Sequence, residues 1–327
     1  MNEIMLSIIV PCYNVAMDRL KQSIDSLRFI ERIMNYEVWV IDDGSRDDRA
    51  LRYIEGLNDP HIHAMRQENS APGGARNTGI DICRGQYITF VDADDFIYYG
   101  PYVEVLKVLQ AEQPDILAHG YSSRYEGSAT AFMLEHDVLP TCWSYIIRRS
   151  LLSELRFTPH IYHEDEEFIT KLHLLRAHLI TLPIHAYYYR YEAESIMHKK
   201  DPKHVLKRFD DYITVMQHLQ ALQLPATHEL ALERRLDIMA MCFVLTMMRD
   251  FSSMTEYKTQ LNRLRDIGLY PLPLHWRGFR YYIIALITRF PAMCSVLSPI
   301  VKLIFKIQDA PAEKRAFASH ADIDDAD

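Results

Sequence analysis

The stretch YITFVDADD (residues 87–95) runs an apolar segment into three acidic side chains, Asp92, Asp94 and Asp95. Read as one continuous strand, it puts Asp92 and Asp94 on the same face with Cα atoms roughly 7 Å apart, because side chains alternate and each residue rises about 3.3 Å. At an effective dielectric of about 20, two such charges repel by on the order of 2 kcal/mol, and a cation beside them relieves the cost. Oxygen-only ligands favour Mg²⁺ or Mn²⁺, the ions that also bridge phosphates. In isolation the same letters equally describe a solvated acidic corner, so the rest of the chain has to decide.

Working outward, the first 125 residues alternate short apolar runs with amphipathic helical patterns. The expected strands are LSIIV (6–10), EVWVI (37–41), HIHAM (61–65), YITFV (87–91) and DILAHGY (115–121). A helix opening at Gly100 and Pro101 presents Tyr102, Val105, Leu106 and Leu109 at i, i+3, i+4 and i+7, the period of a buried face. The strands read as continuous apolar runs, which predicts an α/β fold with a mostly parallel sheet covered on both faces. In such sheets ligands bind beyond the carboxyl ends of the strands. The polar clusters sit at those ends: PCYN after the first run, DDGSRDD after the second, DADD after the fourth. From about residue 202 the pattern turns helical, with Leu232, Leu236, Met239, Phe243 and Met247 marking one packed face.

Composition narrows the function classes. A net charge of -8 over 327 residues excludes a broad basic surface for nucleic acid. The five cysteines, at 12, 83, 142, 242 and 294, form no C-x-x-C pair, and the fifteen histidines form no H-E-x-x-H motif, which fits a reducing cytoplasm. MLSIIVPCYN at the start lacks a basic n-region and a cleavage site, so secretion is not expected, and no uncharged run approaches the roughly 20 residues of a membrane-spanning helix.

In order, PCYN, DDGSRDD, ENSAPGGARNTGI (68–80), FVDADD and YHEDEEF (162–168) resemble the inverting family-two nucleotide-sugar glycosyltransferases. The resemblance covers residues 6 to about 200. It implies the GT-A fold, a Rossmann-like, mostly parallel sheet flanked by helices, here with a helical C-terminal extension. It also implies transfer from a nucleoside-diphosphate sugar to a hydroxyl of a glycan or lipid-linked acceptor in polysaccharide biosynthesis. By that similarity Pro11, Tyr13 and Asn14 lie against the base, where an aromatic ring offers a stacking face. Asp42, Asp43 and Ser45 match the second acidic motif; a carboxylate there accepts from an imide N–H, as uracil offers, which favours UDP. Arg76 is expected as a polar residue at a helix start, pairing with phosphate or bracing the acidic loop. Asp92 is implied at the ribose and Asp94 at a Mn²⁺ or Mg²⁺ ion bridging the two phosphates, with Asp92, Asp95 and His198 as further ligands or supports. Asp165, preceded by Glu164, matches the family's catalytic base. Trp143 falls where an acceptor-side aromatic is often placed, and Arg190 is a candidate for the diphosphate.

These assignments predict a catalytic domain over 1–200, a helical extension over 201–270, an amphipathic segment over 271–308 and a flexible acidic tail over 309–327. No acidic residue lies between Asp266 and Asp309, whereas Arg277, Arg280, Arg289, Lys302 and Lys306 do. That pattern predicts peripheral attachment to the cytoplasmic face of a membrane, with packing on the protein as the alternative. Two rival readings stand beside the transferase. A haloacid-dehalogenase-type phosphohydrolase also uses D-x-D after an apolar run, but near the chain start. A non-catalytic sugar-nucleotide-binding protein would keep the fold without the chemistry.

Overall fold

The computed structural model describes residues 3–190, 201–274, 279–290 and 292–304. They fall into two compact units, one running to Tyr189 and including Pro225–Ala231, the other holding Arg190–Leu224 and Leu232 onward. Along the first unit come strand β1 (Leu6–Cys12), helix α1 (Met17–Asp25), β2 (Tyr36–Asp42), α2 (Arg49–Gly56), β3 (Ile62–Arg66), α3 (Ala71–Ile82) and β4 (Tyr87–Phe90). There follow β5 (Phe96–Ile97), α4 (Tyr99–Glu112), β6 (Ile116–His119), β7 (Tyr125–Ser128), α5 (Ala129–Glu135), β8 (Tyr145–Arg148), α6 (Glu164–His173), β9 (His178–Leu182) and β10 (Tyr187–Tyr188).

Eight strands form one sheet in the order β3-β2-β1-β4-β8-β6-β9-β7, and β5 with β10 forms a separate two-stranded ladder. The half from β3 to β4 is parallel throughout, as the runs of Val and Ile predict for strands buried on both faces. Beyond β4 the sheet becomes mixed, because β8 enters antiparallel between β4 and β6. Strand order reverses beside β1, so the crevice between the carboxyl ends of β1 and β4 is the switch point at which such sheets bind ligands. Pro11 is tolerated in β1 because the ladder to β4 ends at Ile9↔Phe90, leaving no partner on that side to miss an N–H.

The expected helix faces are present. Tyr102, Val105, Leu106 and Leu109 of α4 are buried against the sheet core. In α3 the buried residues are Gly73, Gly74, Ala75, Arg76, Gly79 and Ile80, so the arginine expected as a polar residue at the helix start is buried. Gly79 sets this geometry, since a Cβ there would come within 2.4 Å of Ile9 Cγ2, and only a bare backbone lets α3 lie on β1.

The second unit is helical: α7 (Pro202–Gln220), α8 (Ala226–Asp250, all but its first turns), α9 (Met254–Asp266) and α10 (Phe279–Thr288), followed by a helical stretch over 292–304. Leu232, Leu236, Met239, Phe243 and Met247 are buried along α8, and α9 starts in a reciprocal capping box between Ser253 and Glu256. Ser298 donates to the Met248 carbonyl at 2.8 Å and ties 292–304 to α8. Among the described residues no helix is long and apolar enough to cross a membrane.

Candidate active site

Three strand ends supply the floor of the site. At the end of β1, Tyr13 is 54% exposed, and Asn14 takes a left-handed conformation with φ 51°. The Asn14 N–H donates to Ser45 Oγ at 2.9 Å while Arg46 N–H donates to Asn14 Oδ1 at 2.9 Å, so the first two motifs are laced into one rim. At the end of β2, the Asp42 side chain is fully buried; Oδ1 accepts from the Ser45 N–H at 3.1 Å, and Arg66 Nε approaches Oδ2 at 3.5 Å. Among the described residues Oδ2 has no hydrogen-bond partner, an orphan acceptor at the base of the rim. Asp43 is buried too, and its Oδ1 accepts from Gln67 Nε2 at 2.7 Å and the Ser70 N–H at 2.8 Å, fixing the turn that opens α3.

The expected strand over 87–91 is present as β4, but the strand-face placement of Asp92 and Asp94 is corrected. β4 stops at Phe90, where its pairing with β1 runs out, and the Asp95 N–H bonds back to the Asp92 carbonyl at 3.1 Å. Asp92 and Asp94 therefore sit on a turn, both partly exposed, not two residues apart on one strand face. Asp95 is buried, and its Oδ2 accepts from the Tyr187 hydroxyl at 2.8 Å, which makes it a holder of the turn.

Across the crevice, α6 begins at Glu164 with His163 left-handed before it. Arg76 joins the two acidic segments: Nη2 donates to Asp92 Oδ1 at 2.9 Å and Nη1 to Glu164 Oε1 at 2.7 Å, with the guanidinium 5.4 Å from the centre of the Phe157 ring. Residues separated by 16 and 88 positions thus meet on one buried cation. Gly73 makes the approach possible, because a Cβ there would press on the Thr158 carbonyl at 3.0 Å and Glu164 Cγ at 3.2 Å. Asp165 follows directly, with Oδ1 accepting from the Glu166 N–H at 2.9 Å. Burial first, then the neighbouring Glu164 carboxylate, pushes the Asp165 carboxyl up to about 8, with Arg76 pulling the other way. A carboxyl so tuned takes a proton readily near neutral pH, the property a general base needs.

Other residues were not singled out by the sequence. Cys142 is buried beside Arg76 and the three carboxylates; burial raises its thiol well above the usual range, against the pull of Arg76, so it is an inert wall. Tyr187 belongs to the aromatic run AYYYRY, but nothing in that run marks which ring turns inward. Trp143 is half-buried and stacks on Tyr187 with centroids 4.2 Å apart and planes at 7°. Arg190 belongs to the second unit, and His198 and residues 309–327 lie outside the described residues.

Residues 92–95 fit a divalent cation through donor chemistry: two partly exposed carboxylates, oxygen only, as Mg²⁺ or Mn²⁺ uses when phosphates complete the shell. Among the described residues no group of three or more His, Cys, Asp and Glu side chains is placed to hold a metal ion by itself.

Comparison with known proteins bears on this arrangement directly. Residues 7–165 match the family described as Glycosyl transferase family 2. Glycosyltransferase GlyA of Streptococcus pneumoniae serotype 4 is 29% identical over 219 residues, 58% of this chain and 31% of its own length, so the chain spans about a third of that relative. Among solved structures, S. aureus TarS residues 1–349 superpose with a TM-score of 0.64 at 19% identity, covering 93% of this chain and 92% of the other; TarS was also solved in complex with UDP-GlcNAc. The mannosyltransferase PcManGT of Pyrobaculum calidifontis, solved in complex with GDP-Man and Mn²⁺, superposes with a TM-score of 0.53 at 15% identity over 91% of this chain and 87% of its own. The segment that brings β1, β2, β4 and the head of α6 to one crevice, residues 7–165, is therefore the part of the chain that is similar to family 2 glycosyltransferases, and it shares the GT-A-like fold of TarS.

Proposed function

We propose that this protein is a cation-assisted inverting glycosyltransferase that moves a hexosyl group from a UDP-sugar to a hydroxyl of a glycan or lipid-linked acceptor. The observation that carries the reading is Arg76, whose guanidinium joins Asp92 and Glu164 and so sets the acidic turn and the head of α6 at one site. Tyr13 offers an exposed ring on which a base stacks. Asp42 Oδ2, which has no hydrogen-bond partner among the described residues, is an acceptor for an imide N–H such as uracil offers. Likeness to TarS, solved with UDP-GlcNAc, supports the same donor class, while PcManGT, solved with GDP-Man and Mn²⁺, supports a cation and keeps a guanosine donor as the alternative to test.

Asp94 and Asp92 would hold the ion and the ribose side of the donor, with Asp95 bracing them. A bound Mn²⁺ or Mg²⁺ supplies Lewis-acid neutralisation of the charge that builds on the departing diphosphate. Asp165 takes the proton from the acceptor hydroxyl as its oxygen attacks the anomeric carbon opposite the leaving group. The Glu166 N–H holds Asp165 Oδ1, and the Glu164 carboxylate raises its proton affinity against the pull of Arg76. The phosphohydrolase reading is disfavoured because three matched motifs precede DADD within one family domain. A binding protein without chemistry is disfavoured by the link that Arg76 makes between Asp92 and Glu164, which sets Asp165 beside the acidic turn. The test is release of nucleoside diphosphate from a panel of nucleotide sugars with Mn²⁺ and candidate acceptors. Acceptor-dependent UDP release, lost in Asp94→Ala and Asp165→Asn, supports the reading; phosphate release from simple phosphomonoesters overturns it.

We further infer that 271–308 attaches the enzyme peripherally to an anionic membrane on its cytoplasmic side. Phe290, Val296, Ile300 and Leu303 are exposed large apolar side chains, and Arg289 and Lys302 are interspersed among them. Each basic residue near an anionic surface contributes about 1 kcal/mol. Co-sedimentation with phosphatidylglycerol vesicles at low salt is expected; full recovery of the protein in the supernatant contradicts it.

A further inference from the structure

The Tyr187 hydroxyl touches both ends of the acidic turn. It donates to Asp95 Oδ2 at 2.8 Å and accepts from the Asp92 N–H at 3.0 Å. With the Asp95 N–H donating to the Asp92 carbonyl at 3.1 Å, these contacts close a four-residue loop around Asp94. The ring that carries the hydroxyl is itself fixed: it stacks on Trp143, and the Tyr187 backbone pairs with Ile97 in β5, two residues past the turn. Removal of the hydroxyl would leave the Asp92 N–H without this acceptor in a buried place, where an unmet donor is costly and the backbone moves to avoid it.

We propose that Tyr187, backed by Trp143, is a positioning residue for cation binding: its hydroxyl holds the Asp92–Asp95 turn in the shape that lets Asp92 and Asp94 meet one divalent ion. This rests on the proposed cation site and adds a determinant for it. It also gives Trp143 a part other than, or in addition to, the acceptor contact expected of it. Groups that orient metal ligands typically change metal affinity roughly ten- to a hundredfold when removed.

The experiment is Mn²⁺ binding to the full chain in the presence of UDP, read from the EPR signal of free Mn²⁺, with the thermal midpoint measured in parallel. Tyr187→Phe keeps the ring stack and deletes the hydroxyl, and is expected to weaken Mn²⁺ binding roughly tenfold or more. Donor KM at limiting Mn²⁺ rises with it, and kcat at saturating Mn²⁺ stays close to the parent value. Trp143→Leu keeps the hydroxyl and loosens its mount, so a smaller shift in the same direction is expected. Unchanged Mn²⁺ affinity in Tyr187→Phe overturns the proposal whatever happens to the thermal midpoint; should that variant not fold, unchanged affinity in Trp143→Leu does so. Asp94→Ala separates the two levels. If Mn²⁺ binding survives in Asp94→Ala, the cation site itself is misassigned; if binding is lost there but intact in Tyr187→Phe, only the role of Tyr187 falls.

Discussion

Two acidic turns at the ends of β2 and β4, the strands on either side of β1, look interchangeable as letters, and the structure uses them differently. In DDGS, the carboxylates of Asp42 and Asp43 are buried and accept from their own rim, from Ser45, Gln67 and Ser70. In the site formed by DADD and HEDE, Asp92 and Glu164 share one buried guanidinium, and Asp165 is left beside them with a raised proton affinity. The first arrangement ties its carboxylates into a loop and leaves Asp42 Oδ2 as an acceptor without a hydrogen-bond partner among the described residues. The second holds charge between segments that are far apart in sequence, where it is available for chemistry. Sequence spacing does not separate the two; the supply of nearby donors does.

The largest effects should separate the two turns by activity. Asp165→Asn is expected to lower sugar transfer by about 10²–10⁴-fold, the usual contribution of a positioned base, with the fold retained as judged by circular dichroism. Next comes stability. Arg76→Met leaves two carboxylates facing each other in a mostly buried place and should cost about 3–5 kcal/mol in urea unfolding. Asp43→Ala should cost less, about 1.5–3 kcal/mol, the range for hydrogen bonds to a charged group. It should act on stability first, and a loss of transfer out of proportion to unfolding would break the contrast drawn here.

A smaller, pH-dependent effect sharpens the contrast. The folded-state value of Asp165 is raised, so its contribution to stability is fully present below the unfolded carboxyl value near 4 and is lost as pH rises through about 8. Asp165→Asn should therefore match the parent at pH 4 and exceed it in stability at pH 8, while kcat/KM of the parent falls as pH drops below about 8 and the base is protonated. The smallest expected change is in the second unit: Val296→Glu should weaken vesicle binding and leave transfer to a soluble acceptor unchanged.

Periodicity revealed the α4 and α8 faces because each depends only on local spacing and burial of apolar side chains. The parallel strands were legible for the same reason, as runs of Val and Ile bounded by polar clusters. The insertion of β8 was not, since YIIR is short and its place in the sheet depends on pairing with β4 and β6, far off in sequence. The sequence places Arg76 as a polar residue at a helix start, pairing with phosphate or bracing the acidic loop, but does not reveal its burial. Its burial follows from two carboxylates, 16 and 88 residues away, that satisfy it only once the sheet has formed. Tyr187 was hidden among three consecutive tyrosines, and only the fold tells which hydroxyl meets the turn at Asp95.

Crystals grown with UDP and Mn²⁺, with data collected at the manganese absorption edge, test the central claim most directly. The account predicts one anomalous peak on Asp94 at the diphosphate, with Asp165 facing the same crevice and Arg76 still holding Glu164. A peak elsewhere, or Asp165 turned from the bound nucleotide with its Arg76-linked neighbour released, would contradict it.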